Sequence, residues 1–186
     1  MNILENSTIA LRALEPEDLE VLYRWENDTS IWHLSNTLVP YSRYLLKQYL
    51  ENAGRDIFEI KQLRLIIELR EEKRAIGAID LFDFDPFHRR AGIGILIADR
   101  SQRRKGYAGE ALETLKDYSF RVLKLHQLYC NIHSVNEKSI NLFKRAGFRL
   151  VGEKREWLFN GTGFENEWLL QCINPESQTE GSHSGS

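Results

Sequence analysis

Two stretches decide the fold of this chain: Ile93-Gly94-Ile95-Leu96-Ile97 and, after five intervening residues, the basic stretch Arg103-Arg104-Lys105-Gly106-Tyr107-Ala108. The first stretch is apolar and rich in isoleucine, which predicts a buried β-strand. After the second, Ala111, Leu112 and Leu115 recur at helical spacing and predict an amphipathic helix. A strand, a basic loop and a helix start in this order predict an anion site, because the N-terminal end of a helix carries free N–H groups and a favourable dipole.

The loop between this strand and this helix has the chemistry to hold phosphate. Gly106 has no side chain, so a ligand can approach the backbone closely. Arg103, Arg104 and Lys105 supply positive charge that suits phosphate. The patterns GxxxxGK[ST] and GxGxxG are both absent, which excludes a Walker loop and a dinucleotide-binding fingerprint. We therefore expect a phosphate-binding loop of another kind.

The composition predicts one globular domain in a reducing compartment. The chain has 186 residues, of which 42% are hydrophobic and 28% charged. A net charge of −2 argues against general affinity for nucleic acid or anionic membranes. No run approaches the ~18–20 apolar residues of a membrane span, and no signal-peptide pattern follows Met1. Cys130 and Cys172 are isolated and lack metal-ligand spacing, so we expect a cytoplasmic protein without a metal site.

Periodicity and turn residues predict the order β-α-α-β-β-β-α-β-α-β-β. The predicted strands are 8–12, 63–69, 75–82, 89–97, 125–133, 148–159 and 164–173, and a loop is expected over 83–88. The predicted helices begin at Pro16, cover 41–50, continue from Ala108 to Val122, and cover 137–146. Ser134 and Glu137 match a capping box, and Asn160-Gly161 is a hairpin signal. This order predicts a single α/β (α+β) domain over residues 1–174, and the polar segment 175–186 is expected to be a disordered tail.

A second motif, Asn136-Glu137-Lys138-Ser139-Ile140-Asn141-Leu142-Phe143-Lys144-Arg145-Ala146-Gly147-Phe148, consists of an asparagine, a helix and Gly-Phe. Together with Arg103-x-x-Gly106-x-Ala108, it resembles the paired signatures of the GCN5-related N-acetyltransferase (GNAT) superfamily. The resemblance extends over residues 8–173. It implies a mixed, mostly antiparallel central sheet with helices on both faces, and acetyl-CoA as the co-substrate.

Shorter stretches resemble the spermidine and spermine acetyltransferase branch of that superfamily. They are residues 11–19, Asp80-Leu81-Phe82-Asp83, His88-Arg89-Arg90-Ala91 and Asn160-Gly161. The ribosomal-protein N-terminal acetyltransferases share much of the same pattern. The resemblance therefore leaves two acceptors open, a small polyamine-like amine and a protein N-terminus.

The resemblance also implies which residues bind acetyl-CoA. The strand edge would hold the extended pantetheine arm, the basic loop would hold the pyrophosphate, and a backbone N–H near Ile95 and Leu96 would stabilise the oxyanion. The implied cofactor-binding residues are Ile95, Leu96, Ile97, Arg103, Arg104, Lys105, Gly106, Tyr107, Ala108, Gly109, Asn136 and Phe143.

Two positions depart from the family's pattern. Phe143 stands where the family usually has a tyrosine that protonates the leaving thiolate, and phenylalanine has no proton to give. Ser139, one turn earlier on the helix, is a candidate replacement. Gly92 stands where related enzymes have a glutamate that acts as a base, and the candidate replacements are Glu26, Asp80, Asp83 and His133. We select Ser139, Glu26 and Asp80 as the candidate catalytic residues, although solvated surface roles are an alternative for each.

The sequence thus predicts an acetyl-CoA-dependent N-acetyltransferase. Direct attack by the amine is expected, because no cysteine lies in the motif region as an acyl carrier. Carboxylates that would suit a polyamine are present near the first predicted helix, at Glu15, Glu17, Glu20, Glu26 and Asp28. A non-catalytic acyl-CoA-binding module is the rival interpretation, and Phe143 and Gly92 favour it. The resemblance also favours a homodimer.

Overall fold

The computed structural model describes residues 2–32 and 37–178. Within them, seven strands form one sheet in the order β1-β2-β3-β4-β5-β7-β6. Neighbouring strands are antiparallel except β4 and β5, which are parallel. The strands are β1 (Ile9–Arg12), β2 (Leu63–Leu69), β3 (Arg74–Asp85), β4 (Arg90–Ile97), β5 (Gln127–His133), β6 (Arg149–Phe159) and β7 (Phe164–Ile173). The predicted mixed, mostly antiparallel sheet is confirmed.

Helices cover both faces of this sheet, as predicted. They are α1 (Leu19–Glu26), α2 (Arg43–Ala53), α3 (Ile57–Ile60), α4 (Tyr107–Arg121) and α5 (Glu137–Arg145), with 3-10 turns at Pro16–Asp18, Arg100–Gln102 and Pro175–Gln178. The sequence analysis missed α3, because four residues are too few to establish a helical period. In the described part of the chain, no helix is both long and apolar enough to cross a membrane.

Three details differ from the sequence-based predictions. β3 continues through the predicted loop as far as Asp85, with a bulge between Phe82 and Asp85. The cap of α5 is Asn136, whose Oδ1 accepts the N–H of Ser139 at 3.1 Å, so the predicted Ser134–Glu137 capping box is wrong. Residues 175–178 form a 3-10 turn, while the rest of the predicted disordered tail lies outside the described residues.

The two faces of the sheet are covered differently. On one face, side chains of β3, β4 and β5 such as Leu81, Ile93 and Leu128 form the main core together with residues of α4 and α5. On the other face, α1 and α2 pack over β2 through a small cluster of Leu22, Leu46 and Ile66. Each fully buried aliphatic side chain in these clusters contributes about 1.5–3 kcal/mol to stability. Because the small cluster lies over β2, the second face is less covered over β4 and β5, where Gly94, Leu96 and Tyr129 are half-buried.

Candidate active site

The parallel strands β4 and β5 separate from each other part of the way along. They pair only at Arg90↔Gln127, Ala91↔Leu128 and Gly92↔Tyr129, although β4 continues to Ile97 and β5 to His133. The result is a V-shaped opening in the middle of the sheet, closed at Gly92 and Tyr129. We call it the V. Among the described residues, no strand pairs with the part of the β4 edge that lines the V, so an extended molecule can pair with its backbone.

The backbone groups that line the V follow from the alternation along β4. The carbonyl of Arg89 accepts the N–H of Gln127 on the β5 side, and the carbonyl of Ile97 accepts Nε of Arg103 at 2.8 Å. Arg89 and Ile97 are an even number of positions apart along the strand. Ile95 lies between them and is also an even number of positions from each. Because successive residues of a strand direct their polar groups to opposite edges, the N–H and C=O of Ile95 face the V.

The loop at the open end of the V presents a row of backbone donors. Gly106 is the N-cap of α4, with φ of 91° and no side-chain capping bond. Within the described residues, no backbone N–H from Arg104 to Gly109 donates to an acceptor. A Cβ built on Gly106 would meet no atom within 4 Å, so the backbone is open to a ligand there. Free donors at the positive end of a helix dipole are suited to bind an anion, so the predicted anion site stays a prediction that this geometry allows.

The basic side chains of this loop are used differently from what the sequence suggested. Arg103 donates from Nε to the Ile97 carbonyl at 2.8 Å and from Nη2 to the Ala98 carbonyl at 3.5 Å. Lys105 donates to the side chain of the buried Gln102 at 2.9 Å. Arg104 is exposed and has a positive φ of 64°. Two of the three cations therefore hold the loop in shape, which leaves the backbone N–H groups as the donors best placed to bind an anion.

The second motif lies against the same end of α4. A Cβ on Gly109 would lie 3.9 Å from Cδ1 of Leu142, so α5 closely approaches the first turns of α4. Tyr107 and Ala108 pack against the main core, and Asn136 is used as the cap of α5. The structure thus brings both motifs together beside the V.

Ser139 and Phe143 occupy different environments on α5. Ser139 is half-buried in the first turn, and its N–H is bound by Asn136. Phe143 is only 3% exposed, and its ring packs edge-on against Phe148 with the centroids 5.0 Å apart. Phe143 is therefore a core residue in this structure, which restricts it to at most an apolar contact with a cofactor.

The candidate bases Glu26 and Asp80 are brought together by an arginine that the sequence analysis did not select. Arg64 binds Asp80 through Nε at 2.7 Å and Nη2 at 3.1 Å, and binds Oε1 of Glu26 through Nη1 at 2.8 Å. Burial alone would lower the pKa of Arg64, but the two carboxylates outweigh burial and raise it. An arginine inside the apolar stretch Leu63-Arg64-Leu65-Ile66-Ile67 was the available signal.

This cluster lies on the less covered face of the sheet. Asp80 is the cross-strand partner of Gly94, so its carboxylate stands beside the unpaired part of β4. Beside Arg64 is a cavity of about 190 Å³ lined by Tyr49, Asn52, Ala53, Ile60, Gln62 and Arg64. Both oxygens of Asp80 are occupied by the guanidinium, whereas Oε2 of Glu26 has no partner in the described residues. Glu26 is therefore the more available carboxylate of the two.

The other acidic candidates are dispersed. Glu20 pairs with Arg43 and Asp28 with Arg100, so two carboxylates near α1 are already neutralised. His133 lies at the end of β5, with Nδ1 3.7 Å from Glu165. Asp83 accepts the hydroxyl of Tyr129 at 3.3 Å. No group of three or more potential metal ligands occurs among the described residues.

Comparisons with known proteins agree with this geometry. The family model described as an acetyltransferase (GNAT) domain matches residues 8–149. Spermidine N(1)-acetyltransferase from Escherichia coli (strain K12) is 32% identical over 169 residues, which cover 89% of this chain and 86% of that protein.

Two solved structures are similar in fold over nearly their whole length. The crystal structure of spermidine N-acetyltransferase from Vibrio cholerae in complex with CoA and spermine has a TM-score of 0.81 at 26% identity, covering 90% of this chain and 96% of that one. The dodecameric structure of the Vibrio cholerae enzyme in an intermediate state has a TM-score of 0.77 at 27% identity, covering 95% and 99%.

Proposed function

This chain belongs to the acetyltransferase (GNAT) family, and on that premise we propose that it transfers the acetyl group of acetyl-CoA to a primary amine of a polyamine. The observation that carries the proposal is the V between β4 and β5, with a row of free backbone N–H groups at its open end. That combination suits a ligand with a pyrophosphate followed by an extended, amide-containing arm.

The residues present fit acetyl-CoA. The N–H groups from Arg104 to Gly109 would hold the pyrophosphate, and the open side of Gly106 leaves room for it. The polar groups of Ile95 would pair with the amides of the pantetheine arm or with the developing oxyanion. When bound, acetyl-CoA supplies an activated acyl group on a thiol whose ordinary pKa of about 8.5 already makes it a fair leaving group.

The cysteines support direct attack by the amine rather than an acyl-enzyme route. Cys130 and Cys172 are both buried and unpaired. Burial, followed by the neighbouring Cys172, raises the pKa of Cys130 to about 12, so its thiol stays protonated at neutral pH. Since the thiolate is the nucleophilic form of cysteine, neither side chain is suited to carry an acetyl group.

The relatives and the charges on the second face support a polyamine acceptor. A spermidine N(1)-acetyltransferase and a spermine-bound spermidine N-acetyltransferase are both similar to this chain. The cluster of Glu26, Asp80 and Arg64 carries one net negative charge, and Oε2 of Glu26 is free to bind an ammonium group. A protein N-terminus is the second candidate acceptor, because the sequence pattern is shared with enzymes of that class.

We expect spermidine to be acetylated at least ~10-fold more efficiently, in kcat/KM, than an N-terminal peptide at matched concentration. Glu26→Gln should raise KM for spermidine several-fold, because an exposed or half-exposed ion pair is worth about 1 kcal/mol or less. The matched control is Glu71→Gln, an exposed carboxylate in the turn between β2 and β3. Release of free thiol from acetyl-CoA measures both. A peptide that outpaces spermidine would move the acceptor assignment to protein N-termini.

An acyl-CoA-binding module without transfer is the remaining alternative. The buried ring of Phe143 and the absence of a side chain at Gly92 favour it. Binding of acetyl-CoA without thiol release, across polyamines, monoamines and peptides, would establish that alternative.

We expect Arg103→Ala to weaken acetyl-CoA binding about 10-fold. Its bonds to the Ile97 and Ala98 carbonyls hold the loop against the end of β4, and one hydrogen bond from a charged group is worth about 1.5–3 kcal/mol. Arg104→Ala removes an equal charge from an exposed side chain, and we expect a change of about 3-fold or less that disappears at high salt. Calorimetric titration at two salt concentrations measures both. Equal losses in the two variants would indicate that the charge, and not the loop shape, is what matters.

Self-association is the last part of the proposal. The Vibrio cholerae relative has a dodecameric structure, and the β6–β7 hairpin of this chain exposes Trp157, Phe159 and Phe164. Apolar surface of this kind is suited to contacts between copies. The homodimer expected from the sequence stays a prediction.

A further inference from the structure

The closed end of the V is where the acyl group of the proposed substrate would lie. The proposed phosphate-binding loop is at the open end, and the arm would extend along β4 towards Gly92. The last pair before the strands separate is Gly92↔Tyr129, so Tyr129 is the β5 residue at that closed end. Its side chain shares the less covered face with Asp80 and Phe82, because cross-strand partners in a sheet point to the same side.

Position 92 itself has no room for a catalytic acid or base. A Cβ on Gly92 would lie 2.2 Å from Cε2 and 2.4 Å from Cζ of Phe82, closer than van der Waals contact allows. The Phe82 ring packs edge-on against Tyr129, with the centroids 5.9 Å apart and an interplanar angle of 83°. Phe82 therefore fills the space above Gly92 and fixes the orientation of the Tyr129 ring.

The hydroxyl of Tyr129 is bound to a carboxylate. It donates to Oδ2 of Asp83 at 3.3 Å. Asp83 has a positive φ of 48° and lies in the bulge between Phe82 and Asp85 of β3. A bulge redirects side chains out of the regular alternation, and here it places an exposed carboxylate at the end of a half-buried phenol.

From this arrangement we propose that Tyr129 and Asp83 form the route by which the ammonium group of the acceptor loses its proton. The proposal rests on the acetyl transfer proposed above. The ammonium group first gives one proton to the Tyr129 oxygen as the phenol's own proton passes to Asp83, and the exposed Asp83 returns that proton to water. The neutral nitrogen then forms a bond to the acetyl carbon while the carbon–sulfur bond breaks and the electron pair leaves with sulfur. The nitrogen's second proton goes to the thiolate, which leaves as the thiol.

The charges around the pair suit this role. Burial, and then the nearby Asp83, raise the pKa of Tyr129, while Arg90 of β4 opposes the shift. The phenol is therefore protonated at neutral pH, and it has both a proton to give to Asp83 and lone pairs for the substrate. Asp85 on the same bulge is engaged by His88 and Arg90, and from β7 the neutral Gln171 stands opposite Tyr129. Asp83 is thus the carboxylate that the Tyr129 hydroxyl binds.

The other acids are less suited to accept the proton. Both oxygens of Asp80 and one of Glu26 are bound by Arg64, which makes these residues better anchors for the acceptor than proton acceptors. Under this assignment Tyr129 is a catalytic residue, because its oxygen contacts the reacting amine. Phe82 is a positioning residue that acts through Tyr129.

The test is the pH dependence of kcat/KM for spermidine in Tyr129→Phe, Asp83→Asn and the double variant, from pH 7 to 9. At pH 7 we expect each to lose about 100-fold, the lower range for general acid–base catalysis. The double variant should be no worse than the single ones. The loss should shrink about tenfold per pH unit, because the fraction of neutral amine rises tenfold per unit below an amine pKa of about 10.4. Affinity for acetyl-CoA should not change.

The matched control is Tyr118→Phe, which removes a half-buried tyrosine hydroxyl on α4 and should leave the rate unchanged. A Tyr129→Phe variant within about twofold of the unaltered protein at pH 7 would overturn the route while leaving acetyl transfer established. A loss that is constant with pH would also overturn it, since that indicates a packing role. If the unaltered protein binds acetyl-CoA but releases no thiol with any amine, the proposed function and the route fail together.

Discussion

Gly106→Val is expected to weaken acetyl-CoA binding about 1,000-fold, which corresponds to about 4 kcal/mol. The residue is the N-cap of α4 at φ of 91°, and its open side faces the space where the pyrophosphate would lie. A branched side chain would occupy that space and separate the phosphate oxygens from the N–H groups of Arg104 to Gly109. Loss of two or more hydrogen bonds to a charged group, at about 1.5–3 kcal/mol each, accounts for the size of the effect. Calorimetric titration with acetyl-CoA measures it.

The control for Gly106→Val must carry the same backbone strain, because a β-branched residue at positive φ is itself unfavourable. Gly161→Val meets this requirement. Gly161 has φ of 97° with no atom within 4 Å of a built Cβ, and it lies in the β6–β7 hairpin. Both variants should lose similar stability, and only Gly106→Val should lose affinity. Unchanged affinity in Gly106→Val would exclude this loop as the cofactor site.

Gly77→Ala is expected to destabilise the fold by about 3 kcal/mol or more, at the upper end for overpacking a core. A Cβ on Gly77 would lie 2.1 Å from the Leu96 carbonyl oxygen and 2.9 Å from Cα of Ile97. Both atoms belong to the backbone, so no side chain can rotate aside, and β3 would have to move away from β4. The part of β4 that this movement would disturb contains the edge that lines the V. Urea unfolding followed by circular dichroism measures the loss.

Gly54→Ala is the matched control for Gly77→Ala. A Cβ on Gly54 would meet nothing within 4 Å, and its φ of −82° is ordinary for any residue. This variant should be neutral or slightly stabilising, because alanine lowers the conformational entropy of the unfolded chain. If both variants unfold at the same denaturant concentration, β3 and β4 do not approach each other as closely as described.

The elements with strong local patterns were predictable from the sequence. The strand from 89 to 97 and the helix after Ala108 were found within one or two residues of their observed bounds. Their apolar residues repeat at the period of the element, and that period does not depend on the rest of the fold. The hairpin at Asn160-Gly161 was found for the same reason, since turn residues act locally. The four-residue α3 and the bulge of β3 carry no such period and were missed.

In the candidate site, too, some features follow from the local sequence and others depend on the tertiary structure. The basic loop and the helix start after it were predictable because Arg103 to Gly109 is continuous in sequence, and free N–H groups follow from the start of a helix. The use of the Arg103 and Lys105 side chains was not predictable, because their partners are chosen by the path of the loop. The buried position of Phe143 was likewise decided by α5 packing on the sheet.

What the sequence by itself determined is the family, the order of the elements and the position of the basic loop before α4. What only the tertiary structure decided is how the acceptor side is built. Arg64 and Glu26 are 38 residues apart and meet because α1 packs over β2. Tyr129 and Asp83 are 46 residues apart and meet through the pairing of β3, β4 and β5. Strand register sets which side chains share a face, and register is fixed by non-local packing that no single stretch of sequence contains.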